Sequence, residues 1–226
     1  MRPISKGDAP QEKYKEYQDA ADDLIKAIGP YCSYCEMNIS HVPEVEHRIS
    51  KSRGGEKYKW ENFLLACKYC NTRKGKKIGK DDIDNYLWPD KDDTFHAFKY
   101  DRDVPRLNIS YLNSKGETER KKAENLFHVL KLDNIPITPG DKDRRYNLRN
   151  ETRNCAQQSK NGLNKMKTDS ERNEYLDAIK NIALAKGFFS VWMEVFKDDE
   201  EVKKLLISSF KGTRAEYCSE WDEKNT

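Results

Sequence analysis

Between Gln11 and Ile28 the apolar positions fall at Tyr14, Tyr17, Ala21, Leu24 and Ile28, a spacing of three and four that sets them on one helical stripe. Gly29-Pro30 stops the run, so the pattern predicts an N-terminal helix that leads into the next segment. From Tyr31 to Ile49 the helical period is lost. Short β-branched pieces, a turn near Pro43 and then Arg53-Gly54-Gly55 predict hairpin structure. Trp60 to Leu65 leads out of it, and Asn71 to Lys80 predicts a short, lysine-rich helix. Residues 81–105 predict an irregular connection ending in a short strand around Phe95 to Tyr100, with Arg106 to Leu112 as its partner. Glu117 to Leu130 is helical by period, with Ala123, Leu126, Phe127 and Leu130 on one face, until Pro136 and Pro139-Gly140 break it. Asp143 to Lys160, Ser170 to Leu184 and Val202 to Phe210 predict further helices, the last after an apolar segment from Phe188 to Phe196. An α+β chain follows: an N-terminal segment (1–30), a small unit with a hairpin (31–80) and a mainly helical remainder (81–226).

Composition makes the core of this chain thin. Charged and hydrophobic residues each make up 36% of the 226 positions, and the mean hydropathy is −1.03. Metal or a partner therefore has stability to supply. A net charge of +3 does not by itself announce a nucleic-acid binder, but its distribution says more. Between positions 48 and 80 stand Arg48, Lys51, Arg53, Lys57, Lys59, Lys68, Arg73, Lys74, Lys76, Lys77 and Lys80, against Glu56 and Glu61. Such a run is either a phosphate-binding patch or a solvated lysine face. The longest apolar-rich run, Gly187 to Phe196, is too short to cross a bilayer, and no apolar stretch follows Met1-Arg2-Pro3. A soluble, cytoplasmic protein with no membrane partner is expected.

Four of the six cysteines form Cys32-x-x-Cys35 and Cys67-x-x-Cys70. Two such knuckles separated by a hairpin-length insert can converge on one tetrahedral Zn²⁺. Thiolates would fill every position of that ion, so it would hold the fold and leave no open site for water. Residues bracketed by the knuckles suit a second centre. Glu46 offers a hard carboxylate oxygen and Asn71 an amide oxygen, both ligand types for Mg²⁺ or Mn²⁺. His47 is the candidate general base, since imidazole titrates near neutral pH.

The string Glu46-His47-Arg48-Ile49, the Gly54-Gly55 turn, Trp60-x-Asn62 and Leu65-x-Cys67-x-x-Cys70-Asn71-x-x-Lys74 resemble the cysteine-bearing HNH endonucleases. The resemblance implies a ββα-metal fold gripping DNA, with His47 as catalytic base, Glu46 and Asn71 on the catalytic metal and Asn62 tying the ββα loop together. Asn71 stands where many members have histidine. An amide binds metal more weakly than imidazole, so a preference for Mg²⁺ or Mn²⁺ at higher concentration is expected.

Beyond that core, Met1-Arg2-Pro3-Ile4-x-Lys6-Gly7, Pro10, Ala123 to Asp133, the arginines from Arg144 to Arg153 and Phe210-x-Gly212-Thr213 are similar to the HNH component of Septu-type anti-phage systems, also found with some retrons. This likeness implies a nuclease effector working beside an ATPase of the ABC/SMC-like class. The rival is a zinc-ordered module that binds nucleic acid without cutting it. Against that rival, a carboxylate beside a histidine weakens a surface built only to hold phosphate.

Three further features admit two readings each. Phe188, Phe189, Trp192, Met193 and Phe196 are either the core of the C-terminal helices or a partner surface. Arg144, Arg145, Arg149 and Arg153 either contact phosphates or an acidic partner, or form a salt-bridged face with Asp141, Asp143 and Glu151. His41, His96 and His128 read as surface or packing residues, and Cys155 and Cys218 as isolated thiols.

Overall fold

A computed structural model describes residues 1–219. It is 52% helical and 8% strand, a mainly helical chain built around a small antiparallel hairpin. Residues 220–226 of the C-terminal region lie outside the described part.

The N-terminal helix α1 spans Ala20–Ile28 and is shorter than its apolar period. The Tyr14 amide donates to the Tyr58 carbonyl (3.3 Å), and its ring stacks on Trp60 and meets Phe63 edge-on. These contacts hold the preceding turns in an irregular path. Strand β1 (Glu44–His47) pairs with β2 (Phe63–Ala66) in the register Glu44↔Ala66, Val45↔Leu65, Glu46↔Leu64 and His47↔Phe63. Helix α2 spans Lys68–Lys74, earlier than Asn71 to Lys80, because Cys67 caps it: its sulfur accepts the Cys70 N–H at 3.4 Å. Gly75, at φ +52, ends it.

Helix α3 (Thr94–Ala97) and α4 (Ile109–Lys115), capped by Asp93 and Asn108, take over most of the residues that read as strands. Only β3 (Phe98–Lys99) and β4 (Arg106–Leu107) remain to pair. Helix α5 (Glu117–Leu130) buries Ala123, Leu126, Phe127 and Leu130. The helices α6 (Arg145–Leu163), α7 (Asp169–Lys186), α8 (Phe189–Val195) and α9 (Glu200–Ser209) complete the chain.

Two apolar cores result. One joins α1, the hairpin, α5 and the segment between α2 and α5, and so runs through residue 132 without a break at position 80. The other is formed by α6 to α9. Phe188 and Val191 reach into the first and Tyr31 into the second, which locks the two together. Phe188, Phe189, Trp192, Met193 and Phe196 are all at most 3% exposed, so this aromatic group is core and presents no partner surface.

Candidate metal and catalytic site

The two knuckles converge. Ligand atoms of Cys32, Cys35, Cys67 and Cys70 all lie within 4.8 Å of one another, and all four residues are buried. Four sulfurs at about 2.3 Å from a tetrahedral ion stand roughly 3.8 Å apart, and Cys35 Sγ is 3.6 Å from Cys67 Sγ. The first knuckle turns through Glu36, at φ +67, whose N–H donates to the Cys32 carbonyl. The Ser33 N–H donates to the Leu65 carbonyl at 2.8 Å and draws this knuckle onto β2. Burial, with its thiol neighbours, pushes Cys35 well above the usual thiol range, and hydrogen bonds with the other three thiols, then burial, do the same to Cys67. Against burial, hydrogen bonds from its three partners bring Cys32 well below it. Such a donor set competes for positive charge, as a soft-metal site requires.

Between the knuckles, the loop from Ile49 to Asn62 is braced by one side chain. Asn62 Oδ1 accepts from the Ile49 N–H (2.8 Å), and its Nδ2 donates to the carbonyls of Ile49 (3.0 Å) and Glu56 (2.9 Å). The glycine pair is demanded by space: a Cβ on Gly55 would stand 2.0 Å from the Ile49 carbonyl oxygen, and Gly54 has φ +86.

His47 ends β1 at 7% exposure, its ring edge-on to Phe63 and to Tyr17, with ring centroids 5.1 and 4.9 Å away. Its Nε2 is 3.0 Å from the Lys57 carbonyl oxygen. A carbonyl only accepts, so Nε2 carries the hydrogen and Nδ1 keeps its lone pair. Burial holds the imidazole below its usual pKa, with the charges of Lys51, Lys74 and Lys57 adding to the effect and the bond to the Lys57 carbonyl opposing it.

Glu46 and Asn71 bond to different partners. Glu46 is 3% exposed, with Oε1 2.6 Å from the Lys74 ammonium and Oε2 accepting from Tyr34 OH at 2.7 Å. Burial pushes its carboxyl up, against the pull of Lys74 and Tyr34. Lys74 also donates to the His47 carbonyl at 2.6 Å. Asn71 instead donates through Nδ2 to Glu44 Oε2 at 2.7 Å. Glu44 was not singled out from the sequence, and Lys74 was read there only as part of the basic run and of the motif's closing string, not as the partner of Glu46. The signal for both was available, since residues two apart on a strand and three apart on a helix share a face. Glu44 and Glu46 therefore meet Asn71 and Lys74 as two successive rungs.

The basic run divides in the same way. Lys51, Arg53, Lys57, Lys59, Lys68, Lys76, Lys77 and Lys80 are exposed, whereas Lys74 is buried. Arg48 lies over Trp88 and pairs with Asp90 at 3.5 Å. Of the four clustered arginines, Arg144, which precedes α6, is exposed, and the three within α6 are turned inward. Arg145 and Arg149 are each 1% exposed, and Arg153 donates to the carbonyls of Tyr100 and Arg102. Their chain positions repeat on adjacent turns because that face of α6 is turned inward.

Residues 32–77 match the family model of the HNH endonucleases. No curated protein and no solved structure matches the chain. The chain thus carries an HNH endonuclease domain with a four-cysteine cluster able to hold a metal ion. No helix among the described residues is long and apolar enough to cross a membrane.

Proposed function

We propose that the protein is a metal-dependent endonuclease that hydrolyses phosphodiester bonds of DNA. The observation that carries this reading is His47, fixed by the Lys57 carbonyl in the tautomer that leaves Nδ1 free to accept a proton, inside the segment that matches the HNH family. Nδ1 takes a proton from water, the oxygen of that water attacks phosphorus, and the bond to the 3′-oxygen breaks with that oxygen leaving. By the family resemblance Glu46 and Asn71 would hold Mg²⁺ or Mn²⁺, which would supply charge stabilisation to the phosphate and the leaving oxygen. Zn²⁺ at Cys32, Cys35, Cys67 and Cys70 holds the two knuckles together. Exposed lysines around the loop, Lys51, Lys57 and Lys59 among them, meet the phosphate backbone, so sequence preference is low.

The proposal extends to an anti-phage nuclease working with an ABC/SMC-like ATPase, on the strength of the strings outside the core. Two of those strings form one seam. Ile4 bridges Thr213, the Ser5 N–H donates to the Gly212 carbonyl, and Arg2 reaches Lys211 O, Thr213 Oγ1 and the face of Phe210.

The test is nicking of supercoiled plasmid with Mg²⁺ or Mn²⁺, wild type against His47→Ala, each with and without EDTA. Metal-dependent nicking that drops by at least about 10²-fold in the variant is the expected outcome. Plasmid binding without cleavage by the wild type, even with an ABC/SMC-like ATPase added, would leave a zinc-ordered binding module as the better account.

A further inference from the structure

We infer that the turn from Lys13 to Tyr17 belongs to the DNA-binding face, where with Lys51, Lys57 and Tyr58 it seats the phosphates that flank the one cleaved at His47. The inference rests on the nuclease reading above and extends its substrate contacts beyond residues 32–77, the segment that matches the HNH family.

The N-terminal segment is anchored at two places. Lys6 donates to the carbonyls of Trp60 (2.9 Å) and Phe63 (2.6 Å), and Trp60 Nε1 donates to the Gly7 carbonyl at 3.1 Å. Further along, the Tyr14 N–H is bound to the Tyr58 carbonyl and its ring stacks on Trp60. These anchors strap the segment across the loop that carries Lys57, whose carbonyl fixes His47.

Two cation–aromatic pairs join strap and loop, and each takes one member from either side. Tyr17 of the strap receives the Lys51 ammonium 3.9 Å from its ring centroid. Tyr58 of the loop receives Lys13 at 5.5 Å, with Lys57 at 4.6 Å from the same ring. The pairs adjoin the two groups that hold the imidazole, since Tyr17 is edge-on to His47 and Tyr58 follows the residue whose carbonyl meets Nε2.

What sets these lysines apart is the nature of their partners. Arg53 and Lys68, cations of the same domain, are paired with Asp82 at 2.9 Å and Glu44 at 3.6 Å. Lys13, Lys51 and Lys57 are exposed, and none forms an ion pair with a carboxylate among the described residues. A carboxylate holds a lysine by cancelling its charge, whereas a ring holds it through its quadrupole and leaves that charge free to act. Restraint over a ring also lowers the cost of ordering a long side chain when a ligand binds. Three restrained, unneutralised ammonium groups beside a general base suit a phosphate backbone, whose counterions they displace.

The test is binding of zinc-loaded protein to a duplex DNA oligonucleotide, followed by fluorescence anisotropy across a KCl series without Mg²⁺ or Mn²⁺, alongside plasmid nicking with Mg²⁺. Lys13→Gln, Lys51→Gln, their double variant and Lys165→Gln, which removes an exposed lysine beyond α6, are compared with wild type. Each of the first two is expected to reduce the slope of log K against log salt by about 0.9, and the double variant by about twice that, with Lys165→Gln unchanged. Nicking by Lys13→Gln should show a raised KM with kcat held, because the turn touches no reacting atom. Tyr58→Leu, which frees Lys13 and Lys57 without removing charge, should weaken binding at every salt concentration, whereas Tyr58→Phe should not. A wild-type slope in the double variant, from a protein that still nicks plasmid, would overturn the assignment and leave the nuclease reading standing. An equal loss of slope in Lys165→Gln would overturn it as well. DNA binding by the wild type with no metal-dependent nicking would overturn the nuclease reading, and with it the placement of this face beside a cleaved phosphate.

Discussion

His47 is neutral over a wider pH range than a free imidazole because burial, and then the charges of Lys51, Lys74 and Lys57, all disfavour its protonated form. A general base acts in its neutral form, so a lowered pKa moves the acid limb of the rate profile downward. The expected kcat/KM for plasmid nicking is flat through neutral pH and falls only below about 6.5, the ordinary imidazole value. Replacing Lys51 by alanine removes one of the opposing charges and should move that limb upward by a fraction of a unit. A limb at or above the ordinary value in the wild type, measured at saturating metal, would contradict the burial of His47 as its cause.

The hairpin and α2 are joined by the two rungs, and the inner one carries the mechanical load. Lys74 and Glu46 are 0% and 3% exposed, so Lys74→Met leaves a carboxylate buried without a cation. A loss of about 3–5 kcal/mol in urea unfolding is expected, with much of it restored when Glu46→Gln is added, because the pair together is replaceable where one member is not. An equal loss in both proteins would mean that shape and not charge holds the clamp. The sequence made part of this element legible. Cysteine spacing placed the knuckles and Gly54-Gly55 the turn, since both depend on short-range chemistry, and α5 followed from its period. The division of labour between Glu44 and Glu46 was not legible, because it depends on which residue of α2 lies across from each, a packing fact. The N-terminal period overstated α1 for the same kind of reason: Tyr14 and Tyr17 recur at helical spacing but are held by Trp60, Phe63 and His47 across the fold.

At the scale of the whole chain, the cysteine cluster and the C-terminal helices are coupled by charge. Arg145 Nη1 lies 3.4 Å from Cys70 Sγ while its guanidinium binds Asp143 and the carbonyls of Leu130 and Lys131. Arg149, one turn on, is 1% exposed, and none of its three guanidinium nitrogens has a hydrogen-bond partner among the described residues. An isolated buried cation is costly. Burial lowers its pKa, and Tyr100 and Cys35 are the groups that act most strongly in the other direction. Four thiolates around Zn²⁺ carry two net negative charges, which supplies the field that Arg149 lacks from hydrogen bonds. Removing the metal lets the thiols reprotonate, and Arg149 then remains as an uncompensated charge at the junction of the two cores. Chelation should therefore release α6 as well as the knuckles, seen as new proteolytic cleavage within residues 145–163, with a loss of stability on the order of 3–5 kcal/mol from the stranded charge alone. Arg149→Met, which keeps bulk and removes charge, should shrink the stability difference between zinc-loaded and metal-free protein and weaken Zn²⁺ binding. If the variant loses as much on chelation as the wild type, the arginine is a packing residue and the coupling runs through the knuckle backbone instead.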